Sequence, residues 1–96
     1  MAAYCYFDIL KVYDETAMQE YREKVLSTVD LYGGRYIVIG GPFEKKEGTT
    51  HPTFPVMIEF PTLEVADSWY NSEEYKSLKN MRLKAVESNA VFFQGI

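Results

Sequence analysis

The sequence has little of the chemistry that cysteine and histidine supply: Cys5 is its only cysteine and His51 its only histidine. One thiol cannot form an internal disulfide, and it excludes a cysteine-based zinc site. A metal centre needs more ligands than one isolated histidine, so no metal and no cofactor are expected. No apolar stretch approaches the ~20 residues of a membrane-crossing helix. The start of the chain lacks the basic residues and long apolar run of a signal peptide, so a cytoplasmic location is expected. Cations are few and scattered, with 10 Lys and Arg against 14 Asp and Glu and a net charge of −4. Such a surface repels phosphate backbones, and neither nucleic acid nor a membrane is an expected partner. There is no phosphate-binding glycine loop followed by Lys-Ser/Thr, no GxGxxG and no GxSxG. Nucleotide-driven and serine-hydrolase chemistry therefore fall away.

What the chain does have is aromatic side chains, 16% of its 96 residues, from eight Tyr, six Phe and one Trp. A buried tyrosine needs a partner for its hydroxyl, so this many in a small chain points to an interface or a pocket lining. The length suits a single domain over residues 1–96, and 47% hydrophobic with 25% charged residues is globular composition.

The stretch from Ala3 to Val12 reads as a strand, with Cys5, Phe7 and Ile9 on one face and Tyr4, Tyr6, Asp8 and Leu10 on the other. Asp14 can cap a helix whose apolar stripe is Met18, Tyr21, Val25, Val29 and Tyr32; Thr16 with Gln19 offers a second start. Gly33 and Gly34 end it. Arg35 to Ile39 is a second strand, broken at Gly40, Gly41 and Pro42, with a continuation over Phe43 to Lys46 before a turn at Glu47-Gly48. Pro55 to Phe60 is the third strand. Thr62 caps a short helix carrying Trp69, and Ser72 caps a second one running through Tyr75, Leu78, Arg82 and Ala85. Ala90 to Gln94 closes the chain as a short strand.

This order predicts an α+β, ferredoxin-like βαββαβ fold: a four-stranded antiparallel sheet, order 4-1-3-2, with the helices on one face. The helices should cover Cys5, Phe7, Ile9, Ile37, Ile39, Val56, Ile58, Phe60, Val91 and Phe93. The other face should carry Tyr4, Tyr6, Asp8, Leu10, Tyr36, Val38, Met57, Glu59, Phe92 and Gln94. That face is too apolar and aromatic to sit comfortably in water, which predicts a homodimer paired through it.

The segment IEFPTLEVADSWYNSEEY (58–75), with Tyr32-Gly33-Gly34-Arg35 and Gly40-Gly41, resembles the bacterial domain-of-unknown-function family number 1330, of the dimeric α/β-barrel superfamily. The resemblance extends over nearly the whole chain, including Asp14, Tyr21 and Arg82. It implies the same fold and a dimeric α/β barrel, but no reaction. The wider superfamily includes cofactor-free monooxygenases, small-ring isomerases and haem-dependent members. Where this chain has Thr49, Thr50 and His51, the family more often has a tryptophan-containing segment.

Candidate chemistry centres on Glu59 and Asp8. A centred pairing of the first and third strands sets Glu59 opposite Tyr6 and diagonal to Asp8, so the two carboxylates could serve as acid and base. Alternatively they are interface carboxylates held by Arg35 or a partner's tyrosine. His51 is the only candidate imidazole base or haem ligand, or else a solvated loop residue. Arg35 could anchor an anion or make a salt bridge. Tyr4, Tyr6 and Tyr36 are candidate pocket residues on the sheet, and Tyr70 could close a pocket mouth. Trp69 should be core, Cys5 an inert buried thiol, and Arg82 structural, its head reaching a carboxylate or carbonyl. The leading expectation is a homodimer holding a small aromatic or carboxylated molecule in a cleft between sheet and helices, with acid–base, monooxygenase-like or isomerase-like chemistry. The alternative is a non-catalytic binding or structural module.

Overall fold

The computed structural model describes residues 1–96. The chain runs β1 (Ala3–Val12), α1 (Glu15–Leu31), β2 (Arg35–Ile39), β3 (Pro55–Phe60), α2 (Leu63–Tyr70), α3 (Glu73–Ala85) and β4 (Val86–Gln94). The sheet order is β2-β3-β1-β4 with antiparallel pairings throughout, which is the expected 4-1-3-2 order read from the other edge.

Short polar side chains start each helix by satisfying amide groups that have no partner in the first turn. Asp14 accepts from the Ala17 amide at 3.0 Å, Thr62 from Val65 at 3.1 Å and Ser72 from Tyr75 at 3.1 Å. Asp14 is thus the start of α1, and Ser72 restarts the helix after Asn71 as expected. At the end of α1, Gly33 takes φ +73, a left-handed conformation open to glycine. A Cβ on Gly34 would stand 2.5 Å from Cε1 of Phe60, so glycine there lets the chain pass close under the core.

The helices lie on the face that carries Cys5, Phe7, Ile58 and Phe60, and these side chains are buried with Trp69, Tyr75 and Val29. Trp69 stacks on Tyr75 (centroids 4.2 Å apart) and tilts against Phe60 at 5.3 Å. Its indole N–H donates to Thr28 Oγ1 at 3.0 Å, tying α2 to α1. Burial of these rings with the indole donor satisfied gives this side of the layer a closely packed core.

Several placements differ from the alternation expected along the strands, among them Leu10, which lines the cavity beside Ile9 at a register shift in β1. The β2–β3 register shifts between Tyr36 and Val38, so Tyr36 pairs with Ile58 on the helix side, not the open side. An extra residue in one strand reverses the faces beyond it, and Ile37, in the bulge, is 40% exposed. In β4, Phe92 pairs with Cys5 and turns inward, while Val91 and Phe93 face outward opposite Tyr6 and Tyr4. The strand also begins at Val86, directly from α3, rather than at Ala90. No strand follows Ile39: Gly40 turns the chain away with φ +70, and Pro42 has no amide to lend a ladder.

Candidate functional site

Helix α1 runs along α3 and turns Met18, Tyr21, Val25 and Val29 toward the sheet core. Between its first turns and the strands lies a cavity of about 680 Å³. Its walls are Phe7, Ile9, Val56 and Ile58 from the sheet, Met18, Tyr21 and Val25 from α1, and Tyr36, Ile39 and Phe54 at the β2–β3 side. Of its 16 lining residues 13 are hydrophobic, and the other three are Lys11, Arg22 and Arg82. In a chain with net charge −4, the cavity wall holds cations and no carboxylate. Arg22 is answered by Glu15 at 2.7 Å near the surface.

Arg82 is the unusual group. It sits on the buried stripe of α3 with Tyr75, Leu78 and Ala85 and is only 2% exposed. Its Nε donates to the Tyr75 hydroxyl at 3.3 Å and its Nη1 to Ser88 Oγ at 3.0 Å. The guanidinium also lies over the Phe7 ring, 5.1 Å from the centroid. Nη2 has no hydrogen-bond partner, and no carboxylate pairs with the group. Burial works against its charge, but the Tyr75 and Tyr21 phenols outweigh that and hold its pKa above the ordinary value.

Tyr75 and Tyr21 share a hydrogen bond of 2.7 Å between hydroxyls. Burial, then the neighbouring Tyr75 and Tyr36, push the Tyr21 phenol well above its ordinary range, and burial also raises Tyr36 and Tyr75. All three are neutral phenols near pH 7, able to donate to an anion but poor as bases.

The residues singled out from sequence do not gather at one point. Glu59 stands opposite Tyr4 and Asp8 opposite Pro55. Four strand positions, about 13 Å, therefore separate two carboxylates expected to be neighbours. Glu59 is held by Arg35 at 2.6 Å on the open sheet face, where Tyr4 completes the row. Asp8 is buried and accepts from the amides of Thr53 and Phe54, both at 2.9 Å, fixing the segment that brings Phe54 to the cavity. His51 lies exposed in the β2–β3 connection, stacked on Phe43 and bonded through Nδ1 to the Pro52 carbonyl at 2.8 Å. Tyr6 pairs with Met57 and Val91 on the open face. Tyr36 does line the cavity, from the helix side. Tyr70 packs edge-on against Phe92 and under Lys79, away from the cavity mouth. Cys5 is fully buried, its thiol pushed up to about 12 by that burial. No three His, Cys, Asp or Glu side chains come together as metal ligands would.

Arg82 and Tyr21 are the residues that sequence reasoning undervalued. The signal was present: one arginine on an apolar helical stripe, with Leu78, Lys79, Ala85 and Val86 at the neighbouring turns and no acid among them.

Fold and site together define a ferredoxin-like α+β domain with a largely apolar, cation-bearing cavity between helix and sheet. The chain belongs to the family described as domain of unknown function 1330, whose model matches residues 2–96. Among solved structures, a protein of unknown function from Rhodopseudomonas palustris superposes with TM-score 0.75 at 12% identity, over 99% of this chain and 82% of that one. A dimeric protein of unknown function with a ferredoxin-like fold from Bacteroides fragilis gives TM-score 0.64 at 10% identity, over 98% and 96%. A Nitrosomonas europaea protein assigned provisionally as an antibiotic biosynthesis monooxygenase gives 0.59 at 12%, over 99% and 89%. At these identities the likeness is one of fold. No curated protein matches the sequence.

Proposed function

We propose that this protein is a homodimer that binds a small, mainly apolar molecule in the cavity between α1 and the sheet. The observation that carries the reading is the cavity itself: about 680 Å³, within the usual range for ligand sites, and lined by 13 hydrophobic residues out of 16. The hollow opens to solvent past Leu26, Ile39 and Phe54, so its apolar wall stands in water that a mainly apolar molecule would displace. Nile red, a neutral apolar dye, should bind one per chain with saturable fluorescence. Val56→Phe, which puts a ring into the cavity, should weaken that binding about tenfold. Unsaturable fluorescence, or equal binding by the variant, would refute the reading.

The dimer would form through the open sheet face, where the Arg35–Glu59 pair, Tyr4 and Phe93 form one row and Val38, Met57, Tyr6 and Val91 the next. Val91 and Phe93 are 47% and 51% exposed in the single chain, and a two-fold partner would remove them from water. Glu59, Arg35, Tyr4 and Tyr6 serve that interface in this reading. Asp8 acts by positioning Phe54. Acid–base catalysis shared by Glu59, Asp8 and His51 has no geometric support, since the three lie at separate places. Sedimentation at micromolar concentration should show a dimer that Phe93→Glu dissociates; a wild-type monomer overturns this part.

A further inference from the structure

The wall of the cavity is apolar except for its cations, and only one of those is buried. Lys11 and Arg22 are exposed at the rim, and Arg22 already has Glu15. Arg82 is 2% exposed, lacks any acidic partner and keeps Nη2 unbonded. A buried guanidinium without an anion is costly, and proteins ordinarily supply a carboxylate or let a ligand supply one. The hydroxyls of Tyr75 and Ser88 satisfy two of its nitrogens but bring no charge.

The phenol pair beside it adds a second donor. Tyr75 accepts from Arg82, and one phenolic proton lies in the 2.7 Å bond between Tyr75 and Tyr21. With Tyr75 donating in that bond, the Tyr21 proton is free to donate, and Tyr21 lines the cavity.

Building on the cavity reading above, we infer that the ligand is a monocarboxylate with an apolar or aromatic body, held head-inward on Arg82 with Tyr21 beside it. One carboxylate oxygen takes Nη2 and the other takes the free phenolic proton. The apolar body lies along Ile9, Met18, Val25 and Val56. One unpartnered guanidinium nitrogen, closed to solvent in the empty chain and uncovered by a small turn of the Arg82 head, and one phenol suit a monoanion with two oxygens better than a phosphate dianion, which would need more donors.

Calorimetric titration with 4-butylbenzoate and its neutral isostere 4-butylbenzamide separates the two levels of the argument. The wild-type protein should bind the benzoate at least about tenfold more tightly, the scale of one charge-assisted hydrogen bond. That preference should vanish in Arg82→Met and persist in the double variant Lys11→Gln/Arg22→Gln. Equal affinity of the wild type for both compounds overturns the anion assignment while leaving the cavity reading standing. Binding of neither compound overturns both. A preference lost in the rim double variant moves the anchor to the mouth and overturns Arg82 as receptor. The wild type and the rim variant decide the matter even if Arg82→Met does not fold.

Discussion

Two halves of the same helix–sheet layer are built in opposite ways. Under α2 and α3 the space is filled: Trp69, Tyr75 and Phe60 interlock, and the indole nitrogen is satisfied by Thr28. Under the first turns of α1 a hollow remains beside the core, walled by aliphatic and phenolic side chains of which Phe7, Met18, Tyr21, Val25 and Ile58 also belong to that core. Arg82 stands at the border, its stem on the packed α3 stripe and its side chain part of the cavity wall. The filled half supplies the rigidity that lets the other half stay open. A buried charge at the seam is tolerable because phenols and a serine hold it in place.

The contrast can be tested by truncation. Trp69→Ala, in the filled half, should cost about 3–5 kcal/mol of stability in denaturant titration, as large buried aromatics do. Met18→Ala, on the cavity wall, should cost clearly less, because its removal enlarges a space already open. Equal losses would mean that the two halves are packed alike. Asp8→Ala leaves two amides of the β2–β3 connection without their acceptor and should cost about 1–3 kcal/mol, with ligand affinity falling as Phe54 loosens.

The buried phenols give the contrast a pH signature. In the unfolded chain each ionises near its ordinary value of 10.0; in the folded protein Tyr21, Tyr36 and Tyr75 ionise higher because burial disfavours the phenolate. The folded state therefore keeps protons that the unfolded chain releases. Their contribution is complete below about pH 10 and is lost as pH rises beyond it. Ultraviolet titration of the tyrosines should show late ionisation coupled to alkaline unfolding, and Tyr36→Phe should delay that unfolding. The smallest effect concerns Cys5, which should resist iodoacetamide at pH 8 unless the protein is unfolded.

Much of the filled half was legible from sequence, and much of the hollow half was not. Asp14, Thr62 and Ser72 announced the helix starts because capping is local chemistry. The alternation of Val56, Ile58 and Phe60 likewise placed β3 correctly. Tyr36 was misplaced because a bulge inside five residues leaves no trace in an apolar run, and Phe92 because Val91-Phe92-Phe93 has no alternation to read. The pairing of Glu59 with Tyr4 rather than Tyr6 is a slip of two residues, which keeps every side chain on its face and so leaves the pattern unchanged. Arg82 was visible as an oddity on its stripe, but what it touches depends on Ser88 and Phe7, which only the folded chain brings near.

The central claim is that the hollow half is a ligand site and the filled half its scaffold. Methyl-resolved NMR during titration with 4-butylbenzoate tests it most directly. The account predicts saturable shifts at Ile9, Val25, Ile39 and Val56, with Val29 and Ala66 in the filled core unmoved. Shifts confined to Val38 and Val91 on the open sheet face, or none anywhere, would contradict it.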